Sequence, residues 1–96
     1  MSYDNTLKVY EKNEYVILRV NGGKDVGFIV YNTRKDWEGG HTHLTSFDMA
    51  RTIISNVIKK RKPKTNNIYL IRSHIRVSND KVYRSYLEEL ILARKK

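Results

Sequence analysis

His41 and His43 flank Thr42 in a short passage, DWEGGHTHL, which also holds the only tryptophan, Trp37, and the pair Gly39-Gly40. Alternate residues of an extended backbone point to the same side, so two imidazoles in H-x-H could face one metal ion. Two ligands do not complete a site. His74 would have to join them, with Asp36 or Glu38 adding a carboxylate, and no spacing in the chain demands this. The simpler reading makes residues 36–44 a hinge between sheet and helix. Both His are then exposed or locally bonded, and neither a metal nor a cofactor is expected. The Gly pair could offer backbone N–H groups to a phosphate. However, the helix start lies five residues further on, and no G-x-x-x-x-G-K-[ST] pattern is present. The pair is therefore read as a chain reversal. Trp37 is read as packing on the core, with an exposed stacking platform as the alternative.

Two enzyme families share fragments of this pattern. Residues 41–43 together with Tyr83 and Tyr86 superficially resemble the His–hydrophobe–His metal pair and the helical tyrosine nucleophile of rolling-circle and relaxase nucleases. Here the middle residue is Thr, and both Tyr fall in an apolar stripe. His43-Leu44-Thr45 resembles one half of the two-histidine phosphoesterase signature, and a second half is missing. Each likeness covers a few residues, and the chain is assigned to neither family.

The other chemistry in the chain is cationic. Lys59, Lys60, Arg61, Lys62 and Lys64 form the run KKRKPK. Such a cluster grips phosphates as point charges and guanidinium forks. A helix C-terminus also favours cations, but one or two suffice. The run resembles a nuclear localisation signal too, a pattern that arises often by chance. Net charge is +9, and it is unevenly placed. Residues 1–50 hold six Lys/Arg against seven Asp/Glu, a net of −1; residues 51–96 hold thirteen against three, a net of +10. This asymmetry points to a polyanion-facing side.

The elements that must position these groups follow from periodicity. Ninety-six residues, 40% of them hydrophobic, make a single domain, 1–96, able to bury a modest core. Residues 7–11, 14–20 and 26–31 read as three strands of an antiparallel β-meander. In the second, Val16, Leu18 and Val20 share one face and are taken as its core side. Turns fall at Lys12-Asn13 and at Asn21-Gly22-Gly23. A first helix follows, with Thr45 as N-cap, Asp48 as its box partner, and Leu44 and Met49 as a hydrophobic staple. Its apolar face is Phe47, Ala50, Ile53, Ile54, Val57 and Ile58, and Pro63 marks its end. A last helix begins at Ser78, with Val77 and Val82 as a second staple. Its stripe is Val82, Tyr83, Tyr86, Leu87, Leu90 and Ile91. Residues 67–77 fit two periods. The strand reading is preferred, placing Tyr69, Ile71, Ser73, Ile75 and Val77 on one face and Arg72, His74 and Arg76 on the other.

The expected fold is α+β: a meander of about three strands, with a fourth at 67–77, packed against two C-terminal amphipathic helices. The expected function is nucleic-acid binding through Lys59, Lys60, Arg61, Lys62, Lys64, Arg72 and Arg76, without enzymatic activity. A small inhibitor or adaptor docking on an acidic protein surface is the alternative. The Lys- and Asn-rich, Cys-free composition would suit such a product of a virus or mobile element. A His-dependent nuclease or phosphoesterase is the third. No apolar run approaches the ~20 residues of a membrane span, and the N-terminus lacks the order of a signal peptide. A cytoplasmic protein is therefore expected, as a monomer or a homodimer.

Overall fold

The computed structural model describes residues 6–22 and 25–94. Three long strands come first: β1 (Thr6–Lys12), β2 (Tyr15–Gly22) and β3 (Asp25–Asn32). A single helical turn, α1 (Trp37–Gly40), leads into a short strand, β4 (His41–Leu44). Three helices complete the chain: α2 (Phe47–Lys59), α3 (Ile68–Val77) and α4 (Lys81–Arg94). The four strands form one antiparallel meander in the order β1-β2-β3-β4, so the fold is α+β as expected. Among the described residues no helix is long and apolar enough to cross a membrane.

The first hairpin turns at Asn13-Glu14, one residue later than expected, because Lys12 pairs with Tyr15. Asn13 sits at φ 56°, and Asn tolerates this left-handed region better than most residues. Asn21 and Gly22, expected in the second turn, instead end β2 paired with Val26 and Asp25, and Gly23 lies outside the described residues. Along β1 the register slips between Lys8 and Tyr10, so Val9 is an extra residue on this edge strand. Such an irregularity blunts an exposed sheet edge.

The helices cover one face of the sheet. The core joins Tyr15, Ile17, Val30 and Leu44 of the sheet to Ile53, Ile54 and Val57 of α2. Ile71 and Val77 of α3 and Tyr83, Leu87 and Ile91 of α4 complete it. Each fully buried aliphatic side chain contributes roughly 1.5–3 kcal/mol of burial energy. The expected core side of β2 is thus reversed. Tyr15 and Ile17 face the helices, and Val16 and Leu18 face the other way. Both parities of β2 are apolar, so alternation alone did not choose between them. The pairing with β3 does: Ile17 sits opposite Val30, and Leu18 opposite Ile29.

Residues 67–77 are a helix, not a strand, and the fourth strand is the HTHL segment. Ile71, His74 and Val77 recur at helical spacing and are buried, whereas Tyr69 is 77% exposed. A strand would have placed Tyr69 and Ile71 on the same face. Asn67 caps the helix, its Oδ1 accepting from the Tyr69 N–H at 2.8 Å. The β-branched residues favour a strand locally, but packing against β4 and α2 overrides that preference. The contact with β4 is also polar. Ser73 Oγ donates to Tyr69 O (3.1 Å) and lies 2.7 Å from Thr42 Oγ1.

Both expected caps move. Ser46, not Thr45, caps α2, accepting from the Met49 N–H. That register shift removes the staple. Met49 is exposed, and Leu44 is buried as the last residue of β4 instead. Asp80, not Ser78, caps α4, accepting from the Tyr83 N–H at 2.8 Å. Ser78 acts one step earlier, accepting from the Asp80 N–H. Val77 is buried and Val82 is 81% exposed, so the second staple does not form. The α4 stripe narrows to Tyr83, Leu87 and Ile91, with Leu90 half-buried.

Candidate nucleic-acid interface

The basic run leaves the end of α2. Lys60 closes the helix in the left-handed conformation, φ 55°, and its N–H returns to Asn56 O. The chain from 60 to 67 is then fastened along α4. Tyr83 Oη donates to Arg61 O at 2.7 Å. Arg94 donates to Asn66 Oδ1 at 2.6 Å and to Thr65 O at 3.3 Å. Pro63 is buried between these ties. Lys59, Lys60, Arg61, Lys62 and Lys64 are all exposed, so an anchored backbone presents a row of cations to solvent. Lys60 Nζ lies 3.7 Å from Asp80 Oδ2, an exposed pair of little energetic weight.

This row continues into a groove that sequence reasoning missed. Tyr10 and Lys12 of β1, with Asp48, Arg51, Thr52, Ser55 and Lys59 of α2, line an open depression of about 450 Å³. Residues 48, 52, 55 and 59 recur at helical spacing, so they share the polar face of α2. The Arg51 guanidinium lies 5.1 Å from the centre of the Tyr10 ring and 6.0 Å from that of Phe47. These contacts hold its charge at the groove by cation–π attraction. The spacing of Arg51, Ser55 and Lys59 was visible in the sequence. The arrival of Lys12 beside them depends on how β1 lies against α2.

Arg72 and Arg76 fall elsewhere. They lie one turn apart on a helix, α3, not on one face of a strand. Arg72 is exposed. Arg76 braces the sheet edge, with Nε donating to His41 O at 2.9 Å and a terminal nitrogen to Glu38 O at 2.6 Å. Lys35 reaches the same place, its Nζ donating to Arg76 O at 2.7 Å. Burial lowers the Lys35 pKa, and the nearby Arg84 and Arg76 charges push the same way. Arg76 and Arg84 thus lie close enough for their charges to act on Lys35, with Arg76 against β4.

His41 and His43 do share one side of the chain, the sheet face opposite the helices, and their ring centres are 5.1 Å apart. Trp37 stacks on His41 at 4.1 Å and 6°. Tyr31 meets Trp37 at 5.1 Å, edge to face. His41 Nδ1 hydrogen-bonds Trp37 O. Trp37 is half-buried and lies outside the core cluster, so its role is this aromatic stack rather than core packing. Burial lowers the His43 pKa, followed by the His41 and Arg76 charges. His74 is remote from both. It is buried between α3 and α2, with its ring on Asn56. Among the described residues no three His, Asp or Glu side chains are grouped to hold a metal ion. Tyr83 is buried, hydrogen-bonded to Arg61 O, and its pKa is pushed up to about 12, chiefly by burial. Neither feature suits a nucleophile. No family model matches the chain, and no curated protein or solved structure is significantly similar to it.

Proposed function

We propose that the protein binds nucleic acid through the cationic groove on α2 and the basic row that continues from it. The observation that carries this reading is the convergence of Lys12, Arg51 and Lys59 with the Thr52 and Ser55 hydroxyls around one open depression. Cations would engage phosphates by charge, and the hydroxyls would donate to phosphate oxygens, the usual partition in backbone recognition. The Cys-free chain fits the reducing cytoplasm as its setting.

Salt dependence tests this directly. If five to seven phosphates are neutralised, log affinity for a duplex should fall with log salt at a slope of roughly −4.5 to −6. Replacing Lys12, Arg51 and Lys59 together with Ala should make the slope shallower by roughly 2 to 3. Affinity that is flat between about 50 and 200 mM salt would sink the proposal. A protein partner is the second reading. An acidic protein surface is the partner meant, and the exposed Lys59, Lys60, Arg61, Lys62 and Lys64 favour it because they would pair with carboxylates as readily as with phosphates.

A further inference from the structure

We propose, resting on that reading, that the outer face at β4 is a stacking platform that selects single-stranded nucleic acid over a duplex. Pairing across the sheet sets two rows on the face away from the helices: Val16, Tyr31 and His41 in one, Leu18, Ile29 and His43 in the other. Trp37 lies flat against His41 at the end of the first row. Four aromatic rings are therefore contiguous on one surface, with His43 exposed and Tyr31, Trp37 and His41 half-buried. The order of this surface is imposed rather than incidental. Arg76 holds the β4 edge through the carbonyls of Glu38 and His41, and the Tyr31 hydroxyl donates to Lys35 O at 2.7 Å.

Charge placement identifies the ligand. The lowered pKa of His43 favours the uncharged form of that ring. Arg76 stands beside the platform, its guanidinium bonded to His41 O and Glu38 O and its charge acting on His43, and Lys35 joins Arg76 through the carbonyl of that residue. Rings for bases next to cations for phosphates are the combination that holds single strands. A duplex keeps its bases stacked inside and has no ring face to offer. Apolar protein surfaces would use the rings but not the cations.

Trp37 is the only tryptophan, so its fluorescence reports this surface without labelling. The intact protein is titrated with an oligodeoxythymidine strand and with a duplex of the same length. Anisotropy of a dye on the nucleic acid records binding, and Trp37 emission records stacking. The expected result is quenching by the single strand and little by the duplex. Trp37→Ala should weaken single-strand binding about 5- to 150-fold, the range for loss of one stacked base. It should leave duplex affinity unchanged. Because Trp37→Ala could also disturb the fold, His43→Ala at the exposed ring provides the second variant. It should weaken single-strand binding about 5-fold while far-ultraviolet circular dichroism stays native. Single-strand binding without quenching, and unaffected by His43→Ala, overturns the platform but spares the groove. Absence of binding to either nucleic acid overturns both.

Discussion

Asn56 of α2 and His74 of α3 meet inside the helix layer, with Nδ2 of the amide 3.1 Å from Nε2 of the imidazole. The other ring nitrogen, Nδ1, lies 2.7 Å from Leu70 O. A carbonyl only accepts, so Nδ1 carries the hydrogen; the amide NH₂ only donates, so Nε2 accepts. The ring is satisfied at both nitrogens in its neutral form. His74 therefore works as a buried polar link between two helices, and it is unavailable to His41 and His43 on the far side of the sheet.

That arrangement makes stability sensitive to acid. Burial lowers the folded-state pKa of His74, with the Leu70 bond opposing it more weakly. The unfolded value is about 6.5. Below about 6.5 the unfolded chain takes up a proton that the folded chain refuses, so stability falls as pH falls. The full contribution is present above about 6.5 and is lost progressively down to the folded pKa, at no more than about 1.4 kcal/mol per pH unit. His43 shifts in the same direction. Urea midpoints measured from about pH 7.5 down to 5.5 should decline, and His74→Gln should flatten most of that slope. An unchanged slope in the variant would assign the acid sensitivity elsewhere.

The caps give a second set of outcomes. Ser46→Ala should cost about 0.5–1 kcal/mol, at the modest end because the Met49 N–H lies 3.3 Å from Ser46 Oγ. Asp80→Ala should cost at least as much, since its bond to the Tyr83 N–H is 2.8 Å long. Asp80→Asn should retain most of the cap. Thr45→Ala, one residue before the cap, should change stability by no more than a few tenths of a kcal/mol. Equilibrium urea unfolding of the four variants reads these differences. A larger loss at Thr45 than at Ser46 would return the cap to the earlier register.

These shifts show what a sequence carries and what it leaves to packing. The first three strands were legible as runs of β-branched and aromatic residues between turn signals, though the core side of β2 was not, and α2 and α4 were legible because their apolar residues recur at helical spacing. Residues 67–77 carry both periods, and only contact with β4 and α2 selects the helix. β4 was read as a hinge because HTHL has one aliphatic residue in four and no alternation to detect. It is a strand because the edge of β3 pairs with it, with Tyr31 opposite His41 and Phe28 opposite Leu44. The same limit applies to the candidate interface. The run at 59–64 could be counted, and the shared side of His41 and His43 followed from strand geometry. The groove could not be foreseen, because Lys12 stands 47 positions from Lys59 in the chain. Trp37 was assigned to the core since large aromatics usually go there. Its stacking partner appears only once α1 turns the chain back onto β4.

The two glycines of the opening passage separate cleanly, and they supply the last prediction. Both were read as residues that permit a reversal. A Cβ on Gly39 would meet nothing within 4 Å, whereas one on Gly40 would come within 2.6 Å of Lys35 Cβ and 3.5 Å of Asn32 O. Relief is not available from Lys35. Its Cβ moves only with the backbone, and the Lys35 N–H is bonded to Asn32 O at 3.0 Å. The far end of the side chain is held as well, by Arg76 O at 2.7 Å and Ser78 O at 3.4 Å. Asn32 is buried and fixed in turn by its bond to Val77 O at 2.8 Å. Gly40 is therefore required by close approach, at the point where α1 hands over to β4. Gly40→Ala should destabilise the fold by about 1–3 kcal/mol, the usual cost of overpacking a tight site. Gly39→Ala should be neutral within about 0.5 kcal/mol. Thermal and urea unfolding of the two variants side by side decide the matter. Equal costs at the two positions would mean that the segment is the loose hinge first read from the sequence, and not a packed strand entry.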